Sequence, residues 1–246
     1  MKTTVFALIV PLLLLSQSSS AQFRKSYIGL TSSFGGGFNS FDTGLRTETN
    51  EVIEVSSGGG TSIGITGAYA FSGNWLAGGE LNYQFTMMSP PVDNADGSFK
   101  HMNIMASIQR LFPVGKRDNA FLISAGPVFS VSNTFDFDAS QIPGGAHNSY
   151  HYKPAGGGQI STEFILQKGD GGFAFVFGLR TNFIQYKLDR VNSNGTEFDA
   201  GNTTLDFLPS DVTKPNGTGM DLTIRGIYRF ADKHQATGNN RPRYKR

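Results

Sequence analysis

The chain has 246 residues and not one cysteine. That absence excludes a small secreted scaffold held by disulfides, and with it attachment of lipid to a processed N-terminal cysteine. Long hydrophobic runs are missing as well. Beyond the first residues no segment approaches the roughly 20 apolar residues that a membrane-spanning helix needs, so any crossing of a bilayer has to be made by closed β-structure. Excess positive charge is also absent from the body of the chain. The formal net charge of +2 comes from the ends: Lys2, and a tail over 231–246 with five basic residues and one acid. Residues 22–230 hold fifteen basic and eighteen acidic side chains, a formal −3. A generally basic nucleic-acid-binding surface is excluded by that balance.

What is present begins with Met1 and Lys2, an apolar stretch over 5–15, and the small residues Ser19, Ser20 and Ala21 ahead of Gln22. This order predicts a secretory signal peptide over residues 1–21. The stretch is too short to cross about 30 Å of hydrocarbon. The remainder fits one all-β domain over 22–230, followed by a basic tail over 231–246 expected to be disordered.

Period-two alternation predicts eight strands, over residues 26–35, 61–71, 75–86, 99–112, 120–134, 157–167, 173–187 and 218–230. One face is large and apolar, the other small and polar. In the third segment Trp75, Ala77, Leu81, Tyr83 and Phe85 share one side, and Gly78, Glu80, Asn82 and Gln84 the other. The seventh places Phe173, Phe175, Phe177, Leu179 and Phe183 together. Connections alternate short and long: 72–74, 113–119 and 168–172 are brief, whereas 36–60, 87–98, 135–156 and 191–217 are long and rich in Gly, Asn, Asp, Ser and Thr. In an up-and-down barrel every long loop then lies at one end.

Five charged residues fall mid-strand, all on the polar face: Glu80, Glu163, Arg180, Asp221 and Arg225. A soluble barrel would have to pack the aromatic face inward, and that many Phe side chains overfill a narrow barrel. The opposite arrangement puts the aromatics toward lipid, with girdles at strand ends, and the charges in the lumen. Turning the charges to lipid instead costs on the order of 10 kcal/mol, at about 2–4 kcal/mol for each basic residue at the midplane, comparable to a whole domain's stability. The expected fold is therefore an all-β, eight-stranded antiparallel up-and-down transmembrane β-barrel, with a lumen charge network whose members neutralise one another. A lumen this narrow is filled by side chains, and a wide diffusion pore is not expected.

Catalytic chemistry is mostly missing. His101 and Asn103 share the lumen parity of the fourth strand, but a His-Ser pair with an orienting carboxylate has no evident third member. His147 and His151 fall in a long loop without a nearby carboxylate set, so no metal site and no cofactor is assigned. The glycine runs 35–37, 58–60 and 156–158 precede no helix and do not make a phosphate cradle. Sequons begin at Asn194, Asn202 and Asn216 in a stretch rich in Asn, Gly and Thr, where they arise by chance. In the first long loop, alternation through Arg46, Glu48, Glu51, Glu54 and Val55 predicts strands continuing above the barrel. Such strands present either a sheet edge for a partner or a solvated hairpin, and their charge favours the latter.

The signal peptide, the phrases Ser124-Ala-Gly-Pro-Val-Phe-Ser130 and Phe177-Gly-Leu-Arg180, and the closing Ile224-Arg-Gly-Ile-Tyr-Arg-Phe230 make the chain resemble the small outer-membrane β-barrel family of OmpA/OmpX type, especially Bacteroidota forms. The resemblance covers residues 22–230. It implies a bacterial outer membrane location with periplasmic termini, contact with outer-membrane lipid, and an aromatic-ended last strand read by the barrel-assembly machinery during biogenesis. Gly226 stands one position from the usual glycine, and a basic tail follows Phe230. No catalytic set is shared across that family. The expectation is a non-enzymatic barrel with a structural, adhesion or surface-interaction role through four long extracellular loops, with an extracellular or envelope protein as partner. An accessory subunit of an envelope secretion or assembly complex, and a lipid-modifying enzyme, are the alternatives.

Overall fold

The computed structural model describes residues 26–115, 119–167, 172–201, 208 and 210–230. The signal segment and the basic tail lie outside the described residues. The chain runs β1 (Tyr27–Gly37), β2 (Ser40–Arg46), β3 (Val52–Ser56), β4 (Gly59–Ser72), β5 (Trp75–Met87), β6 (Asp96–Val114), β7 (Asn119–Asp138), β8 (His147–Tyr152), β9 (Ala155–Gln167), β10 (Phe173–Ile184), β11 (Leu188–Ser193), β12 (Thr196–Asp199), a helical turn α1 (Ser210–Thr213) and β13 (Gly219–Arg229).

Eight of these strands close a barrel in the order β1-β4-β5-β6-β7-β9-β10-β13, every neighbouring pair antiparallel. Closure is made by β13 on β1, from Tyr27 opposite Arg229 to Gly37 opposite Gly219. The alternation read from sequence becomes the two faces of the wall. Outward residues such as Phe34 and Tyr69 are 71% and 68% exposed, whereas inward Arg180 and Asp221 are 1% and 0% exposed. The barrel is thus apolar outside and charged inside, the reverse of a soluble globule.

The interior is not uniformly polar, as the polar-face residues alone had implied. It is built in three tiers. At the turn end, Leu76, Leu111, Leu122, Ile165, Val176 and Ile227 form an apolar floor. Glu80, Glu163, Arg180, Asp221 and Arg225 occupy the middle. At the loop end, Met88, Phe99, Met105, Val128, Phe135, Tyr152, Tyr186 and Leu188 form an apolar roof together with Phe41, Ile53 and Val55. The strand ends carry inward Leu, Ile and Val where the middle carries Gly, Ser and charge, so each apolar tier seals the charge layer from one side.

The long loops hold more structure than their composition implied. The alternating residues of the first loop do not prolong β1 and β4. They form β2 and β3, a separate two-stranded sheet, because Phe41, Ile53 and Val55 fold inward onto the roof. The outer edge of β3 is partly occupied by a two-way backbone pairing between Glu54 and Ser89. The third and fourth loops supply β8, β11 and β12, which extend the barrel sheet beyond the wall in the order β7-β8-β11-β12. His147 and His151 accordingly lie on a strand, β8, rather than in an irregular loop.

Strand β7 carries this arrangement. Its lower part pairs with β9 up to Ser130, and its upper part pairs with β8 from Asn133. Between them Ser132 has φ of 55°, and the β6–β7 register gains one residue on β7. The extra residue is a β-bulge. Below it Phe121, Ile123, Phe129 and Val131 face outward. Above it the parity flips, and Thr134, Asp136 and Asp138 take the outer side while Phe135 turns in to the roof.

Candidate functional site

The five mid-strand charges converge from four strands. Glu80 stands on β5, Glu163 on β9, Arg180 on β10, and Asp221 and Arg225 on β13. Each lies in the phase that alternation sends inward. Arg180 reaches across the barrel, and its Nη1 donates to Glu80 Oε1 at 2.6 Å. Arg225 Nη2 donates to Glu80 Oε2 at 2.8 Å and Arg225 Nη1 to Glu163 Oε2 at 2.8 Å. Glu80 therefore bridges both guanidinium groups. Thr223 Oγ1 donates to the other oxygen of Glu163 at 3.0 Å, and Asn82 Nδ2 donates to Glu80 Oε1 at 3.0 Å.

Asp221 is held differently. Its nearest guanidinium nitrogen, Arg180 Nη2, is 3.8 Å away, and the Asn182 amide donates to Oδ2 at 3.2 Å. Its Oδ1 meets no donor among the described residues. Glu80, Glu163, Arg180 and Arg225 form a hydrogen-bonded quartet of zero formal charge, and Asp221 beside it brings the layer to a formal −1. Charge-assisted hydrogen bonds of this geometry fix side chains as well as offset their desolvation.

Two further arginines were not singled out from sequence. Arg229 is buried and in phase with Asp221 and Arg225, and it donates to Gln167 Oε1 at 2.6 Å; the period-two spacing alone would have found it. Arg110 continues the outward phase of Ile104 and Ile108. It sits opposite Trp75 in the ladder, with its guanidinium 4.8 Å from the Trp75 ring centre and 5.9 Å from that of Phe112. Aromatic cover makes an arginine tolerable on an apolar face.

Among the described residues, no histidine stands in a nucleophile–imidazole–carboxylate chain. His101 is buried, with Nε2 3.1 Å from Gln84 Oε1, which also accepts from Asn103 Nδ2 at 3.2 Å. Its ring packs on Phe99 at 5.5 Å. On the outer side of β7 and β8, Ser149 Oγ lies 3.5 Å from His151 Nε2 but donates to Asp136 Oδ1 at 2.7 Å. Lys100 Nζ is 3.2 Å from the other Asp136 oxygen. In a nucleophilic triad the carboxylate orients the imidazole; here it takes the serine proton's bond instead, and His151 Nδ1 faces Thr134 Oγ1 at 3.4 Å. His147 and His151 stand four residues apart along a strand, roughly 13 Å at the strand rise, too far to share a metal ion. No group of three His, Cys, Asp or Glu suited to a metal occurs among the described residues.

At the roof, Tyr152 and Tyr186 sit with Phe99 at ring distances of 5.6 and 5.2 Å. Burial pushes both phenols above the usual tyrosine range; Tyr150 adds to the effect at Tyr152, and a hydrogen bond with Ser130 offsets part of it at Tyr186.

No protein-family model matches the chain, and no curated protein matches it. Among solved structures, the chain is similar to the outer membrane protein OprG from Pseudomonas aeruginosa, with a TM-score of 0.47 and 14% identity over 85% of this chain and 97% of that one. It is similar to the outer membrane protein AlkL, solved by solid-state NMR in DMPC bilayers, with a TM-score of 0.42 and 12% identity over 89% and 95% of the two chains. For Ail, the attachment invasion locus protein of Yersinia pestis, solved with the heparin analogue sucrose octasulfate, the TM-score is 0.39 and the identity 14% over 84% and 97%.

Proposed function

We propose that this chain is a non-enzymatic β-barrel of a bacterial outer membrane, anchored by its outward face and acting in structure, adhesion or surface interaction through its loop end. One observation carries the membrane part: a closed wall that exposes an apolar band all round and buries its mid-strand charges. In water such a band far exceeds the apolar patches that soluble monomers expose, whereas in lipid it satisfies the apolar-out, polar-in rule, and closure leaves no unpaired backbone edge in the wall. The change of polarity at the loop end supports a membrane boundary there. On β6 the outward side passes from Ile104 and Met102 to Lys100 and Ser98, and on β7 from Val131 to Thr134 and Asp136.

The interaction role is favoured by what lies beyond that boundary. The β7-β8-β11-β12 extension bears Lys100–Asp136, Lys153–Asp189 and Arg190–Glu197 ion pairs. Such a polar sheet is suited to a hydrated partner. Periplasmic termini follow if this end faces outward. The bonding of Ser149 to Asp136 rather than to His151 supports a role without nucleophilic catalysis.

Surface proteolysis of intact cells tests the arrangement. Cleavage confined to segments 38–58, 88–95, 139–146 and 194–217 is the expected pattern. Cleavage at the Ser72–Trp75 turn would reverse the orientation, and recovery of folded protein in detergent-free lysate would remove the membrane altogether.

A further inference from the structure

A concavity of about 580 Å³ indents the outward wall across β1, β4, β5 and β6. Its floor is bare backbone. Gly67 and Gly79 oppose each other in the β4–β5 ladder, and both point outward. A Cβ built on Gly67 would come no closer than 3.3 Å to another atom, the Tyr27 carbonyl oxygen. On Gly79 the nearest atom would be the Met105 oxygen at 3.8 Å. Its sides are Ile28, Leu30, Ile65, Leu81 and Ile104, between 39% and 67% exposed. Glu80, between Gly79 and Leu81, turns inward to the two arginines, so no charge opens into the groove. Elsewhere the same band bristles with rings, such as Phe121, Phe164, Phe175 and Phe177. Here it is recessed.

We propose that this groove holds one acyl chain of a phospholipid from the leaflet on the turn side. The proposal rests on the membrane reading above and names a fixed lipid site within it. Three observations select a chain over another occupant. The groove is continuous with the apolar band and almost wholly apolar, with no charged group opening into it to orient a head group. It is concave and walled by branched aliphatic side chains, the shape a linear hydrocarbon fills and a second convex barrel does not. It also lies at the right depth: Trp75, at the turn-side rim of the same face, is four residues below Gly79, roughly 13 Å. Strands of such barrels tilt by about 35–45°, so this is a depth of about 10 Å, within the ~15 Å of one leaflet's hydrocarbon, half of a core about 30 Å thick. A chain entering beside Trp75 therefore passes over the two glycines.

The experiment compares the wild type with Gly79→Leu, whose side chain would occupy the groove. Both are reconstituted in phosphatidylethanolamine bilayers with brominated chains, then exchanged into detergent and weighed by native mass spectrometry. Quenching of Trp75, the sole tryptophan of the chain, reports insertion. The expected result is quenching in both proteins, with one phospholipid retained by the wild type and lost from the variant. Equal retention in both overturns the groove while leaving the membrane reading intact. A dimer mass that disappears in the variant also overturns it, in favour of a second copy. Absence of quenching in the wild type brings down the membrane reading and this proposal together. If Gly79→Leu does not insert, magnetisation transfer from chain methylenes to the Gly67 and Gly79 amides in wild-type nanodiscs decides, and its absence overturns the site.

Discussion

Glu80 is the residue on which the charge layer turns, because the guanidinium groups of both Arg180 and Arg225 bond to it, at 2.6 and 2.8 Å. Removing one partner from a buried ion pair leaves an uncompensated charge and costs about 3–5 kcal/mol. Arg180→Leu strands Glu80 on one side and deprives Asp221 of its nearest cation, so we expect a loss of that size, read as a lower urea midpoint for unfolding in lipid vesicles. An unchanged midpoint and unchanged heat-modifiable migration on a gel would contradict it. Asp221→Asn makes a sharper contrast. The layer holds one carboxylate more than it has guanidinium groups, and Asp221 is the least compensated, so its replacement by the isosteric amide is expected to shift stability by less than about 1 kcal/mol, the scale of a single ordinary hydrogen bond. A loss as large as that of Arg180→Leu would show that Asp221 is a full member of the network. The inward direction of these residues was legible in sequence because period two leaves only one side for them. Their bonding was not, since it depends on strand stagger and on which rotamers span the barrel. The single-charge surplus can be counted from the sequence, but that Asp221 is the member left outside the hydrogen-bonded quartet emerges only from its 3.8 Å separation from Arg180.

Among the elements, the eight wall strands were readable almost to their ends, because alternation persists through the wall part of each. The elements at the loop end were less so. Strands β8, β11 and β12 are short and polar on their outer side, and composition there resembles loop. The bulge at Ser132 defeats a simple parity count, since it sends Phe135 inward and Asp136 outward, opposite to the phase of Phe129 and Val131. The hairpin β2–β3 is held on the roof chiefly by Phe41, Ile53 and Val55, with the Phe41 ring 4.5 Å from Phe135. Phe41→Ala removes an aromatic side chain whose burial is worth about 3–5 kcal/mol. Amide exchange should accelerate in β2 and β3, with β9, β10 and β13 unchanged; uniform acceleration would mean the roof and wall unfold together. The roof also has a defined alkaline limit. The folded phenols of Tyr152 and Tyr186 are raised above the ordinary value near 10, so the folded state binds protons that the unfolded chain releases. Their contribution to stability is complete below about pH 10 and declines as pH rises toward the folded values. Near-ultraviolet dichroism of the roof aromatics should therefore fade above about pH 10, before the wall unfolds, and more steeply than in Tyr152→Phe.

For the molecule as a whole, the membrane reading makes a depth-dependent demand. Phe177→Arg, mid-wall on β10, should cost about 2–4 kcal/mol, whereas Thr134→Arg, just beyond the bulge, should cost about 0–1 kcal/mol. Equal costs at the two positions would argue against a hydrocarbon boundary between them. The sharing of β7 has a mechanical consequence. One strand belongs to the wall below Ser130 and to the projecting sheet above Asn133, with only the single-residue bulge at Ser132 between. A tug on the projecting sheet from an attached surface is therefore transmitted along the strand axis into the β6 and β9 ladders. Many cross-strand bonds must then give way in shear at once, rather than one after another, so a grip made at the far end would be resisted by the full height of the barrel.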